Sequence, residues 1–173
     1  MREVYVLRHA NWNLDKDSLT DEGKQKCLDL KKKLGDFDII ISSNFDRNKE
    51  TAKLLTGKEP QVDERAGILK LTDEQNQKIT ELRQKHPLGV AGAIFSIPEL
   101  IEPVKEAGQN LIELIKEVSS KLPENGRALI ISHDGTIVSA EKIIKKDTFA
   151  SIEHTYYELE GFIIDSNLQI KEF

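Results

Sequence analysis

Val4-Tyr5-Val6-Leu7-Arg8-His9-Ala10 decides the fold of this chain. Four apolar or aromatic residues in a row read as a strand covered on both faces, as in the interior of a parallel sheet. An arginine and a histidine stand where that strand should end. In open α/β sheets ligands bind in the crevice beyond the carboxyl ends of the strands. A guanidinium presents a planar fork of donors suited to phosphate, and an imidazole can serve as nucleophile, base or metal ligand. Taken alone, Arg8-His9 reads more simply as a solvated loop after an edge strand. Two other stretches repeat the arrangement.

Asp38-Ile39-Ile40-Ile41-Ser42 is the second buried run. It leads through Ser43-Asn44-Phe45-Asp46-Arg47 into a helix marked by Thr51, Ala52, Leu54 and Leu55. Arg47 falls in the first turn of that helix, where unpaired N–H groups and a guanidinium together attract anions. Pairing with Asp46 or Glu50 on the surface is the plainer alternative, and the position just past a strand end favours function. Ala128-Leu129-Ile130-Ile131-Ser132 is the third run, followed at once by His133-Asp134-Gly135-Thr136 and a helix through Ile137, Ala140 and Ile144. Alternating strands and helices imply a parallel sheet, so the three strand ends share one edge. Two arginines and two histidines then converge in a chain of net charge −5. Such a cluster suits a dianionic phosphoryl group, whose charge redistributes over its oxygens during transfer. Two histidines also suit a metal, but the adjacent arginines would repel a cation, so no metal is expected.

The connecting segments carry their own signals. Thr20 is a plausible N-cap, with Asp21 and Glu22 in the first turn and Lys31, Lys32 and Lys33 near the end, before Gly35. Gly23, Cys27, Leu30 and Leu34 share one face of that helix, which makes Cys27 a small core residue. Trp12 reads as packing or as a pocket wall, and Asn13 as either an anion donor or a turn residue bonding its own backbone. Thr72-Asp73-Glu74-Gln75 is a capping box opening a mostly polar helix to about His86, with only Ile79 and Leu82 as apolar positions. Residues Pro87 to Pro98 form an apolar, glycine-containing stretch that reads as packing against the sheet, a wall over a pocket or a partner patch. A long helix follows, striped by Val104, Ala107, Leu111, Leu114, Val118 and Leu122. Tyr156 to Phe173 suggest a closing hairpin, and His154 before it has no evident partner.

Composition narrows the class. A chain of 173 residues, 38% hydrophobic and 32% charged, suits one well-buried core. The acidic balance argues against nucleic acid and anionic membranes as partners. A lone cysteine can form neither an internal disulfide nor a cysteine-based zinc site. No run approaches the roughly 20 apolar residues of a membrane span, and Met1-Arg2-Glu3 offers no signal-peptide pattern, so a reducing cytoplasm is the expectation.

The motifs together resemble those of the histidine phosphatase superfamily, the phosphoglycerate-mutase-like group, over nearly the whole chain. The family's Arg-His-Gly appears as Arg8-His9-Ala10, and its Leu-Thr-x-x-Gly as Leu19, Thr20 and Gly23. Its Ser-x-x-x-Arg-x-x-x-Thr-Ala appears as Ser43, Arg47, Thr51 and Ala52, with Asn44 where proline is usual. Its second histidine lies in Ser132-His133-Asp134-Gly135. Alanine for glycine at position 10 leaves slightly less room for the backbone to approach a phosphate. The resemblance implies one α/β domain over 1–173, a three-layer α/β/α sandwich with a mostly parallel sheet and a small insertion around 68–103. It implies a phosphatase working by double displacement: His9 becomes phosphohistidine, Arg8 and Arg47 grip the phosphate, and His133, protonated, donates to it. Glu64 is the expected proton donor, with Asp63 or Asp134 able to substitute, and Asn13, Ser43 and Asp134 are expected to contact substrate. No cofactor is implied. The substrate is a small phosphate ester or a phosphoprotein, so a phosphohistidine protein phosphatase is the alternative. A mutase would need a larger cap, and retention of Arg8, His9, Arg47 and His133 argues against a non-catalytic binding module.

Overall fold

Side chains along the first strand alternate between two cores. Val4 and Val6 enter one hydrophobic cluster, Tyr5 and Leu7 the other. The computed structural model, which describes residues 1–173, shows why the run is continuous: helices cover both faces of the sheet. In chain order the elements are β1 (Glu3–Arg8), β2 (Trp12–Asn13), β3 (Ser18–Leu19), α1 (Asp21–Leu34), β4 (Ile39–Ser42), α2 (Asp46–Thr56) and β5 (Gln61–Val62). After them come α3 (Asp73–Arg83), α4 (Gly89–Phe95), α5 (Ile101–Lys121), β6 (Arg127–Ser132), α6 (Asp134–Lys145), β7 (Gly161–Asp165) and β8 (Ile170–Glu172). The sheet runs β5-β4-β6-β1-β7-β8, parallel from β5 to β1 and antiparallel for β7 and β8. The closing hairpin is therefore β7 and β8, and the architecture is the three-layer, mostly parallel α/β sandwich.

α5 and α6 contribute Leu111, Leu114, Ile115, Ile137 and Ala140 to the cluster on one face. α1 and α2 contribute Cys27, Leu34, Ala52 and Leu55 to the other. The registers level the strand ends, because Arg8 pairs with Ser132 and Ser42 with Ile131. A third, smaller core gathers Leu69, Ile79, Ile94, Phe95 and Leu100 around Val104 of α5 and Val138 of α6. It docks α3 and α4 above the strand ends. The apolar stretch 87–98 is thus mostly the short helix α4, buried from Ala91 to Phe95. The ring of His86 lies where a Cβ on Gly92 would sit, 1.9 Å from Nδ1, so any side chain there would displace that ring from α4. No helix of the chain is long and apolar enough to cross a membrane.

The loop after His9 is pinned from α1. The Asn11 carbonyl accepts the Thr20 N–H at 3.0 Å, and the Thr20 hydroxyl caps α1 by accepting the Gly23 N–H at 3.0 Å. A Cβ on Gly23 would meet the Asn11 carbonyl oxygen at 2.3 Å. Gly23→Ala therefore forces apart the helix and the backbone that sets His9. The expected cost is about 1–3 kcal/mol, a fall in Tm of roughly 3–10 °C for a chain of this length. An unchanged Tm in a thermal melt would show that the 10–13 loop yields freely.

Candidate active site

Both histidines sit at strand ends and both are 4% exposed. The Nδ1 atom of His9 lies 2.9 Å from the Ala10 carbonyl oxygen, which can only accept. Nδ1 therefore carries the proton, and the lone pair resides on Nε2. Arg47 donates from Nε to that Nε2 at 3.2 Å. The Ala10 N–H is in turn held by the Thr51 hydroxyl at 3.1 Å, and that hydroxyl donates to the Arg47 carbonyl at 2.7 Å. Thr51 thus ties the loop bearing the nucleophile candidate to the helix bearing its arginine.

Burial sets the charge state. Desolvation pushes the His9 imidazole down to about 3, the neighbouring Arg47 and Arg8 reinforce this, and the Ala10 carbonyl opposes it in part. His133 lies well below its ordinary range for the same first reason, with His9, Arg47 and Arg8 adding repulsion. Both rings are neutral at pH 7 in the free chain. The protonated His133 that the resemblance implies is a state with phosphate bound, whereas strand-end burial by itself favours the neutral ring. His133 Nε2 shares a hydrogen bond with the Ser43 hydroxyl at 2.9 Å, and its ring packs edge-on to Phe45 and His9.

Arg47 is clamped rather than free. Its guanidinium carbon lies 4.1 Å above the Trp12 ring and 4.4 Å from that of Phe45, while Nη1 pairs with Asp17. Asp17 also accepts the Asp46 N–H at 2.8 Å, capping α2 from the β2–β3 hairpin. Trp12 is thus a wall of the site. Asp17 escaped sequence reading, since it lies 30 residues from Arg47 in a polar turn. Asn48, fully buried, also went unnoticed: its amide donates to the Ile131 and Ser132 carbonyls at 3.2 Å, fixing the start of α2 to the end of β6.

Arg8 spends one strong hydrogen bond on the protein, from Nη1 to the Tyr156 carbonyl at 2.8 Å. Looser ion pairs reach Glu158 at 3.5 Å and Asp134 at 3.8 Å, and its Nε–H is buried without a partner. Most of its donors remain for a ligand. At the start of α6, His133 is the N-cap without a side-chain cap, so the first N–H groups of a 12-residue helix are also unclaimed by side chains.

These groups open on one cavity of about 260 Å³. Arg8, His9, Arg47, His133, Asp134 and Gly135 form its floor, and α3, α4 and the 68–71 segment its roof and walls. Of the other sequence-derived candidates, Asn13, Ser43, Asp63 and Glu64 are not among the residues that line it. Asn13 is exposed in the β2–β3 hairpin. Glu64 is exposed in a 3-10 turn and borders an adjoining cleft with Lys70, Glu106 and Asn110. Asp63 is bound by Arg65 at 2.7 and 3.0 Å, which holds its carboxyl below the ordinary value and unsuits it to give up a proton near neutrality. Asp134 is the carboxylate on the cavity floor.

Residues 4–155 match the histidine phosphatase superfamily (branch 1). No curated protein matches the chain. Among solved structures, the mycobacterial glucosyl-3-phosphoglycerate phosphatase complexed with VO3 aligns with TM-score 0.74 and 16% identity, over 100% of this chain and 98% of its own. Bacillus stearothermophilus YhfR aligns with TM-score 0.74 and 22% identity, over 99% and 95%. The Entamoeba histolytica phosphoserine phosphatase in complex with 3-phosphoglyceric acid aligns with TM-score 0.69 and 18% identity, over 99% and 95%. At these identities the likenesses speak for the fold. The family match runs from the first strand to beyond α6 and takes in every residue of the cavity floor, and by it the chain belongs to the histidine phosphatase superfamily.

Proposed function

We propose that this histidine phosphatase hydrolyses small phosphate monoesters through a phosphohistidine at His9. The observation that carries the reading is the fixed tautomer: Nδ1–H is committed to Ala10, and Nε2 is left as a buried lone pair among guanidiniums. A phosphate dianion arriving at the floor draws donors from Arg8 and Arg47, which now serve its oxygens in place of the His9 lone pair. It also favours a proton on His133, which the free chain lacks. His9 Nε2 then attacks phosphorus in line, the ester P–O bond breaks, and the alcohol leaves with a proton from Asp134, whose acid form is favoured once the dianion lies beside it and draws Arg8 away. Because Nδ1–H stays on Ala10, the phosphorylated ring is a cation and a good leaving group. Water, deprotonated by the Asp134 carboxylate, attacks phosphorus, the P–N bond breaks, and the lone pair returns to Nε2.

The roof supports a small substrate. Ile68, Leu69, Leu71, Ile79, Val90 and Ile94 enclose the space above the floor, which suits a compact organic group better than a histidine borne on a folded protein. Several structural neighbours are likewise named as phosphatases of small esters. The purified chain should hydrolyse p-nitrophenyl phosphate, and orthovanadate, which adopts the trigonal-bipyramidal geometry of the transferred group, should inhibit it competitively in the micromolar range or below. Turnover of phosphohistidine-bearing protein with none of the aryl ester would move the function to the protein-phosphatase alternative.

A further inference from the structure

Glu141 is a buried charge that the chemistry above leaves without a task. It lies on α6 two turns beyond His133 and is 4% exposed. A carboxylate out of water is costly unless donors surround it. Lys145, one turn on, supplies one, an arrangement that a helix makes equally well on an exposed face. The other donors come from the segment after α6. His154 Nε2 stands 2.8 Å from Glu141 Oε2 and must carry a proton there, since a carboxylate only accepts. Burial and the neighbouring Glu141 together push the Tyr156 hydroxyl up, so it faces the same carboxylate with its proton on.

The segment needs such holding. No regular element forms between α6 and β7, and from Thr148 to Tyr156 the backbone makes no hydrogen bond to other backbone. Near the sheet its anchors are side chains, His154 on Glu141 and the Tyr156 ring edge-on to Phe162 at 6.3 Å. The same segment ends on Arg8. The Tyr156 carbonyl takes the one strong hydrogen bond that Arg8 gives to the protein, 2.8 Å from Nη1, and Glu158 follows at 3.5 Å. Glu141, His154 and Tyr156 line no part of the active-site cavity. As a stabilising device the pair is poor, because His154 is 55% exposed and exposed ion pairs contribute little.

We propose that Glu141 is a positioning residue for Arg8, holding through His154 and Tyr156 the carbonyl that aims the guanidinium at phosphate. This rests on the phosphatase reading, in which Arg8 grips the phosphate. A guanidinium is planar, so an Nη1–H held by the Tyr156 carbonyl orients the whole fork, including the Nε–H that has no partner. If the segment slips, the fork turns with it, and a displacement of about 1 Å can cost on the order of 10²-fold in rate. The buried carboxylate thus acts through one carbonyl, without touching substrate.

The test uses the full chain and p-nitrophenyl phosphate. His154→Ala, at an exposed position that folding tolerates, should lose about tenfold in kcat/KM with Tm nearly unchanged. His154→Gln, whose amide N–H can still reach Glu141, should recover most of it. Glu141→Gln should lose as much or more. In an Arg8→Lys background His154→Ala should cost less than about twofold, because an ammonium has no plane to aim. A merely structural role would lower activity alike in both backgrounds. Wild-type kcat/KM in His154→Ala, no recovery in His154→Gln, or an undiminished loss beside Arg8→Lys overturns the proposal. If no ester is hydrolysed, the phosphatase reading falls, and calorimetric binding of orthovanadate decides instead. Weaker binding in His154→Ala that His154→Gln restores would still uphold the brace, and equal binding in wild type and His154→Ala would overturn it.

Discussion

His9→Ala should reduce turnover of every phosphate monoester by on the order of 10⁴-fold or more, because no other group in the cavity can accept the phosphoryl on nitrogen in the same geometry. Ser43 and His133 are nearby, but they share a hydrogen bond with each other, and His133 Nε2 is occupied by it. Wild-type protein quenched with base within one turnover should carry bound phosphate that survives alkali and is lost in acid, the behaviour of a P–N bond. Acid-stable label, or an active His9→Ala variant, would remove His9 as nucleophile. The same variant reports on stability. His9 has the ordinary imidazole value of 6.5 when unfolded and about 3 when folded, so the unfolded chain binds the extra proton first. Stability is therefore full above about 6.5 and declines as pH falls through the window down to about 3. In urea melts between pH 7 and pH 4, His9→Ala should lose less stability than wild type.

The parts of this molecule legible in its sequence are those where burial is simple. β1, β4 and β6 are covered on both faces, so each reads as an unbroken apolar run, and the functional residues that follow such runs are easy to place. Thr20 and the Thr72–Gln75 capping box are local signals, and both caps form as their spacing dictates. What escaped depends on contacts between distant segments. Asp17 meets Arg47 only because a two-residue ladder between Trp12-Asn13 and Ser18-Leu19 folds the polar loop back over α2. His154, without a partner in the sequence, meets the buried Glu141 at 2.8 Å. The charge of His133 is illegible for another reason. Desolvation is a property of the packed site, and no residue near it in sequence reports it.

Asp134→Asn should separate the substrates by their leaving groups. An alkoxide is a poor leaving group and needs a proton as the P–O bond breaks, whereas p-nitrophenolate leaves unaided. The variant should lose on the order of 10²-fold or more in kcat/KM on an alkyl phosphate and about tenfold or less on p-nitrophenyl phosphate, since kcat/KM reports formation of the phosphohistidine and not its hydrolysis. Glu64→Gln is the companion measurement, since the family resemblance points to Glu64 while the structure leaves its side chain exposed beside the adjoining cleft. It should change neither substrate by more than about twofold. If Glu64→Gln produced the selective loss on alkyl phosphate, the 64–70 segment would have to carry its carboxyl over the floor during turnover, and Asp134 would lose its role. Asp134 also stands 3.8 Å from Arg8, so a second outcome has a distinct meaning. Equal loss on both substrates would mean that the carboxylate acts by holding the Arg8 guanidinium against the phosphate. In that case KM should rise with the fall in kcat. As proton donor Asp134 tells the two esters apart only while the P–O bond breaks, which kcat/KM reads. As base toward water it serves the phosphohistidine common to both, so that part of its loss lowers kcat and KM together and leaves kcat/KM unchanged.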